Sequence, residues 1–178
     1  MKRLTSLLFF ITLLGCTGES ASEQPLQSIQ KEESSVFGLF GSKETKNYVI
    51  ASPLSGVLVQ DGKPLVHTKI IRRLTWNGNE AGVVDEFTTD EKGAFSIPVY
   101  EKELTLNTMT EFVAAFKLYA REEKLENFFW YSPKRDEDLY SDTGGILDEM
   151  ICDINNEEDR VNVTSSGVLT KCKWKGMP

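Results

Sequence analysis

The sequence predicts an all-β domain, an antiparallel β-sandwich of about eight to nine strands. Three observations predict it. From Tyr48 onward the apolar residues recur mostly at every second position, the period of side chains alternating across a sheet. Clusters of Gly, Asn, Asp and Pro interrupt them at short intervals, which suits antiparallel connections. Hydrophobic residues make up 40% of the 178-residue chain, enough to fill a core and too many for a wholly disordered one. That length suits one domain with a tail.

The chain opens as a leader, residues 1–15. Met1-Lys2-Arg3 is a short basic end, and Leu4 to Leu14 is apolar except for Thr5, Ser6 and Thr12. As a helix the apolar run spans about 16 Å, roughly half a hydrocarbon core, too little to cross a membrane. It ends in Leu13-Leu14-Gly15-Cys16, which resembles the lipobox of bacterial lipoproteins. The resemblance implies a diacylglyceryl group on the Cys16 thiol, cleavage before that residue and acylation of the new amine. Small Gly15 gives a peptidase access to the bond. Two or three acyl chains bury enough methylenes, at about 0.8 kcal/mol each, for stable anchoring. The competing reading is an ordinary secretory leader with an incidental cysteine. Thr17 follows the cysteine, where inner-membrane retention usually uses Asp, so the resemblance implies the periplasmic face of the outer membrane.

Residues 16–47 read as the lipidated cysteine and a flexible tether. Ser, Glu, Gln and Lys dominate it, and a random coil of that length spans about 30 Å. The island Val36-Phe37-Gly38-Leu39-Phe40 interrupts it. It reads as a lightly buried lead-in to the domain, or as a segment that dips into a membrane surface.

The domain occupies residues 48–178. Ser55 to Gln60 is the first expected strand, and Asp61-Gly62-Lys63-Pro64 is a tight turn. His67 to Trp76, Ala81 to Thr88 and Ala94 to Val99 follow as strands, separated by Asn77-Gly78-Asn79 and Asp90-Glu91-Lys92-Gly93. Phe112 to Ala120 is long and apolar. A helix fits its poor alternation, and its aromatic and β-branched content favours a buried strand. After a polar turn at Arg121 to Lys124, Asn127 to Ser132 returns as a strand stopped by Pro133. Lys134 to Asp138 reads as a charged loop. Ile146 to Ile154, Arg160 to Val163 and Val168 to Trp174 complete the set.

Ser55-Gly-Val-Leu-Val, Asp61-Gly-Lys-Pro-Leu65, Lys69-Ile-Ile and Thr89-Asp-Glu-Lys-Gly-Ala-Phe95-Ser-Ile-Pro98 together resemble the carboxypeptidase regulatory-like domain. The resemblance covers Ser55 to Pro98 and implies a transthyretin-like β-sandwich. It implies little about activity, because fold does not set function. The motif residues have plain physical roles. Gly56 permits close strand approach, Asp90 accepts backbone N–H bonds across its turn, and Gly93 supplies positive φ before Phe95 enters the core.

Cys152 and Cys172 remain once Cys16 is assigned to the leader. In an oxidising compartment they are expected to form a disulfide closing a loop of about 20 residues, worth about 3 kcal/mol in the chain-entropy account. Two free thiols, or a metal pair short of ligands, are the alternatives.

Formal charge is −7, and loss of Lys2 and Arg3 with the leader takes it to −9. Such a chain repels phosphate backbones, so nucleic acid is not an expected partner, whereas a cationic protein is compatible. No catalytic constellation is found. Purine-pathway hydrolases of transthyretin-like fold need several histidines and a C-terminal Tyr-Arg-Gly-Ser. This chain has His67 alone and ends Trp174-Lys-Gly-Met-Pro178. Intradiol dioxygenases need two His and two Tyr on iron. No cofactor or metal is therefore expected. His67 reads as a surface residue. The acidic runs Asp136, Glu137, Asp138, Asp142 and Asp148, Glu149, Asp153, Glu157, Glu158, Asp159 read as solvated loops, with oxygen ligands for Ca²⁺ as the competing reading. Asn162-Val-Thr164 matches a glycosylation acceptor by chance. The expected function is a non-enzymatic, membrane-anchored periplasmic module for binding or structural support. The competing expectation is an immunity or inhibitor protein that captures a basic toxin or enzyme. An enzyme using carboxylate pairs is the third.

Overall fold

A computed structural model describes residues 41–120, 127–164 and 166–178. The leader with Cys16, the tether up to residue 40 with its Val36–Phe40 island, and the turn at Arg121 to Lys124 lie outside the described residues. The described chain is all-β, with thirteen strands. The expectation of eight to nine is exceeded because two of the strands are two-residue fragments and two long, charged ones lie outside the expected set.

One sheet has five strands. Its centre is β2 (Leu54–Gln60), which carries β3 (Lys63–Pro64) and β6 (Ala94–Ile97) on one edge and β10 (Ile151–Asp153) on the other. β13 (Cys172–Lys173) pairs outside β10. The β2–β10 pair is parallel, a departure from the wholly antiparallel expectation. The long segment that separates these strands in sequence allows it, because parallel neighbours need a crossover. Gly56 makes the approach close. A Cβ there would meet the Met150 carbonyl oxygen at 2.8 Å and the Met150 side chain at 2.9 Å.

The second sheet has six strands in the order β11 (Asp159–Val161), β12 (Val168–Thr170), β9 (Phe128–Lys134), β8 (Ala114–Ala120), β4 (Lys69–Trp76) and β5 (Asn79–Thr88), all antiparallel. The two sheets pack as a β-sandwich. Leu54, Leu58, Phe95 and Ile97 from the first share one core with Ile70, Leu74, Phe116, Leu118 and Trp130 from the second. Phe95 and Phe129 meet edge-on with ring centroids 5.9 Å apart. Along β4 burial alternates without a break, so Ile70, Arg72, Leu74 and Trp76 face inward. Arg72 is accommodated there by Asp85, at 3.0 Å from Nε, and by the Pro98 carbonyl, at 2.7 Å from Nη1.

Several expectations are corrected. The tether ends early: β1 (Lys43–Ala51) starts inside the stretch read as flexible and pairs with β7 (Tyr100–Asn107), a strand absent from the expected set. Both are densely charged, which obscures a short alternation: their pairing is a ribbon that buries Tyr48 and Ile50 in the core and packs Tyr100, Leu104 and Leu106 against it. The second expected strand begins at Lys69 rather than His67, whose φ of 48° places it in the turn. Phe112 to Ala120 does contain the buried strand its composition favoured, shortened to β8 (Ala114–Ala120). Pro133 does not stop β9; it pairs opposite Ala115 within the strand. Only Ile151–Asp153 of the expected Ile146 to Ile154 strand is extended pairing.

The turns behave as their residues require. Asp90 Oδ1 accepts the N–H groups of Lys92 and Ala94, both at 2.8 Å, and Gly93 has φ 75°. Those bonds, Ala94's first and then Lys92's, hold the Asp90 carboxyl below its ordinary value. At Asp153 burial pushes upward, but the amides of Asn155, Gly62 and Asp61 together outweigh it and the carboxyl is lowered too. A carboxyl lowered in the fold contributes stability that is present above its unfolded value and lost as pH falls through the folded one. Urea midpoints of the Asp90→Asn/Asp153→Asn variant should therefore fall less steeply below about pH 4 than those of the parent. Equal slopes would place the acid sensitivity elsewhere.

Candidate functional site

The outer face of the six-stranded sheet holds the most distinctive side-chain arrangement. Strand register puts six residues in a single row across all six strands. Val84 lies opposite Arg73, Arg73 opposite Lys117, Lys117 opposite Tyr131, Tyr131 opposite Leu169, and Leu169 opposite Arg160. At about 4.8 Å per strand the row is roughly 24 Å long. It arises because each residue occupies the outward half of its strand's alternation.

Two depressions flank Tyr131. One, of about 330 Å³, is lined by Arg73, Thr75, Ala115, Lys117, Tyr119 and Tyr131. The other, of about 200 Å³, is lined by Tyr131, Pro133, Arg160 and the 166–169 segment. The Lys117 ammonium lies 5.0 Å from the Tyr131 ring centroid and 5.7 Å from that of Phe128, within cation–π range. Burial pushes the Tyr119 phenol above its ordinary value of 10.0, against the opposing pull of the Arg73 charge. Tyr119 is therefore a neutral hydroxyl at ordinary pH.

Among the described residues no carboxylate oxygen lies within ion-pair distance of Arg73, Lys117 or Arg160. Glu86, in the neighbouring row opposite Ile71, is tied to Lys69 at 3.2 Å. Like charges directly opposite each other on adjacent strands are destabilising. Arg73 and Lys117 are such a pair, on a chain whose net charge is −7. An anion set between them would relieve that repulsion and take charge-assisted hydrogen bonds from both.

The residues singled out from sequence lie elsewhere. Cys16 is outside the described residues. Cys152 and Cys172 form a disulfide, buried and directly opposite in the β10–β13 register. The acidic runs are dispersed into local ties. Glu137 pairs with Lys46, Asp159 with Lys173 and Glu149 with Lys175, while Asp153 caps the β2–β3 turn. Asp142 is not solvated at all, being 1% exposed. Among the described residues no group of three or more His, Cys, Asp and Glu is placed to hold a metal ion. The Arg73–Lys117 row was missed because a row is a property of register. Its local signal was Lys117, a lone charge in the apolar stretch Ala114-Ala-Phe-Lys-Leu-Tyr-Ala120.

A family model described as "Domain of unknown function (DUF6795)" matches residues 54–157, more than half of the chain. The chain belongs to DUF6795. No curated protein and no solved structure matches it. The DUF6795 match takes in β2 through β10, and with them Arg73, Lys117, Tyr119 and Tyr131. Arg160, Leu169 and Cys172 fall after it.

Proposed function

We propose that this DUF6795 chain is a non-enzymatic lipoprotein, anchored through Cys16 at the periplasmic face of the outer membrane, whose transthyretin-like sandwich serves as a binding module of the cell envelope. The observation that carries the binding role is the Arg73–Lys117 pair, two cationic residues directly opposite each other on adjacent strands with no carboxylate of the described residues in ion-pair distance of either. A structural surface gains nothing from that arrangement, whereas a surface that meets an anion does. The anchoring half of the reading is supported by the basic start, the apolar run and Leu13-Leu14-Gly15-Cys16. A lipid anchor confines the face to the space next to the membrane, so even a weak contact is reinforced by proximity.

The test is in cells. Labelled palmitate should appear on the parent chain and not on Cys16→Ser, and the parent should fractionate with membranes. Isolated envelopes should retain the chain made from Thr17 onward, which carries no acyl group, at low salt and release it as ionic strength rises. The Arg73→Val/Lys117→Met variant should be retained much less. Absence of label on the parent overturns the anchoring. Retention that ignores both salt and the double variant overturns the binding role.

A further inference from the structure

Resting on the proposal that the outer face is a binding surface, we infer that its ligand is a linear acidic oligosaccharide, one in which uncharged rings separate anionic ones. The argument starts from how charge is spaced along the row. Arg73 and Lys117 are neighbours one place in from the Val84 end, and Arg160 lies at the other end, three strands beyond Lys117, about 14 Å away. Between them stand Tyr131 and Leu169, with Pro133 lining the second depression. The row thus reads as cation, apolar bridge, cation.

That order selects against other anions. A single small anion fills the Arg73–Lys117 end and leaves the rest of the row unused. A nucleic acid brings a charge at every unit, with none of the uncharged spacing the bridge requires, and meets repulsion from a chain of net charge −7. A sugar ring offers C–H groups that cover an aromatic or proline face, and hydroxyls for Tyr119 and Thr75 at the edge of the first depression. An acidic ring one or two units away then reaches the next cation. Arg73 can take a carboxylate through two parallel N–H bonds, which a lysine cannot. The flat, open sheet also suits an extended chain rather than a compact ligand.

The experiment is titration calorimetry of the full chain in neutral detergent micelles. The probes are a hyaluronan hexasaccharide, the corresponding disaccharide, a neutral chitin hexamer and a hexaglutamate peptide. The hyaluronan hexamer should bind at least about tenfold more tightly than each of the others. Arg73→Val and Lys117→Met should each weaken it by about tenfold, the worth of one charge-assisted contact. Arg160→Gln should weaken the hexamer several-fold and leave the disaccharide unchanged. Arg73→Val should also leave the urea midpoint unchanged or raised, because it removes the repulsion with Lys117. Equal binding of the neutral hexamer, or of hexaglutamate, overturns the inference, as does an Arg160→Gln effect below twofold. If envelopes retain the chain through Arg73 and Lys117 while no glycan competes, the ligand class is wrong and the binding module stands. If the double variant is retained like the parent, both fall.

Discussion

Asp142→Ala is expected to lower the free energy of unfolding by about 3–5 kcal/mol, the cost of breaking a buried ion pair from one side. The reason is Lys134. Although it stands where the sequence reads as a charged loop, it is the last residue of β9 and only 1% exposed. Its ammonium donates to the Asp138 carbonyl and the Ser141 Oγ, both at 2.6 Å, and to Asp142 Oδ1 at 3.2 Å. Asp142 in turn accepts the Ser52 hydroxyl, and the Tyr140 N–H donates to Ser52 Oγ at 2.8 Å. Ser52 follows β1, so the network ties the entering ribbon to the loop after β9 and to the core sheet. Removing the carboxylate strands a buried positive charge with only neutral acceptors. Replacing both charges together, Lys134→Met with Asp142→Leu, should cost markedly less than the sum of the two single changes, since no uncompensated ion remains. Urea titrations of the parent and three variants close this cycle. A single-variant loss under about 1 kcal/mol, or strict additivity, would mean that water reaches Lys134 and screens it.

Loss of the Cys152–Cys172 disulfide ranks second. The Cys152→Ser/Cys172→Ser variant should be about 3 kcal/mol less stable than the oxidised parent, from the restored freedom of a 20-residue loop in the unfolded chain. The native geometry gives the bond a further task. β13 is two residues long and touches the rest of its sheet only through β10, which is itself three residues long. Such short pairs carry few ladder bonds. The crosslink fixes both, and with them Trp174, whose ring meets Trp130 edge-on at 6.1 Å. Hydrogen exchange should therefore show the amides of residues 172–177 losing protection first when the bond is reduced. Unchanged protection there, with an unchanged urea midpoint, would show the strand to be held by packing alone.

How far the fold was legible tracks where the physics is local. The Asp61–Pro64 and Asp90–Gly93 turns were readable because Gly φ and Asp capping act within four residues. β4 was readable because one face of it is buried and the alternation records it, and β8 because the aromatic and β-branched content of Phe112 to Ala120 suits a buried strand. β1 and β7 were illegible because charged residues fill most of their positions and leave only Tyr48 and Ile50, and Tyr100, Leu104 and Leu106, to mark the inward face. Pro133 misled because it punctuates most strands, and here its missing N–H is tolerated opposite Ala115.

The same division separates what each level determined. The sequence alone determined that the domain is all-β and where its tightest turns lie, since turn chemistry and two-residue periodicity are carried by near neighbours. Only the tertiary structure decided that β10 runs parallel to β2, that Lys134 and Asp142 neutralise each other inside the core, and that Arg73, Lys117, Tyr131 and Arg160 share a row. Those facts depend on contacts and strand register between residues up to 94 positions apart, such as Val57 and Ile151. Register is fixed by the packing of both sheets at once, and no short window of the chain contains that information.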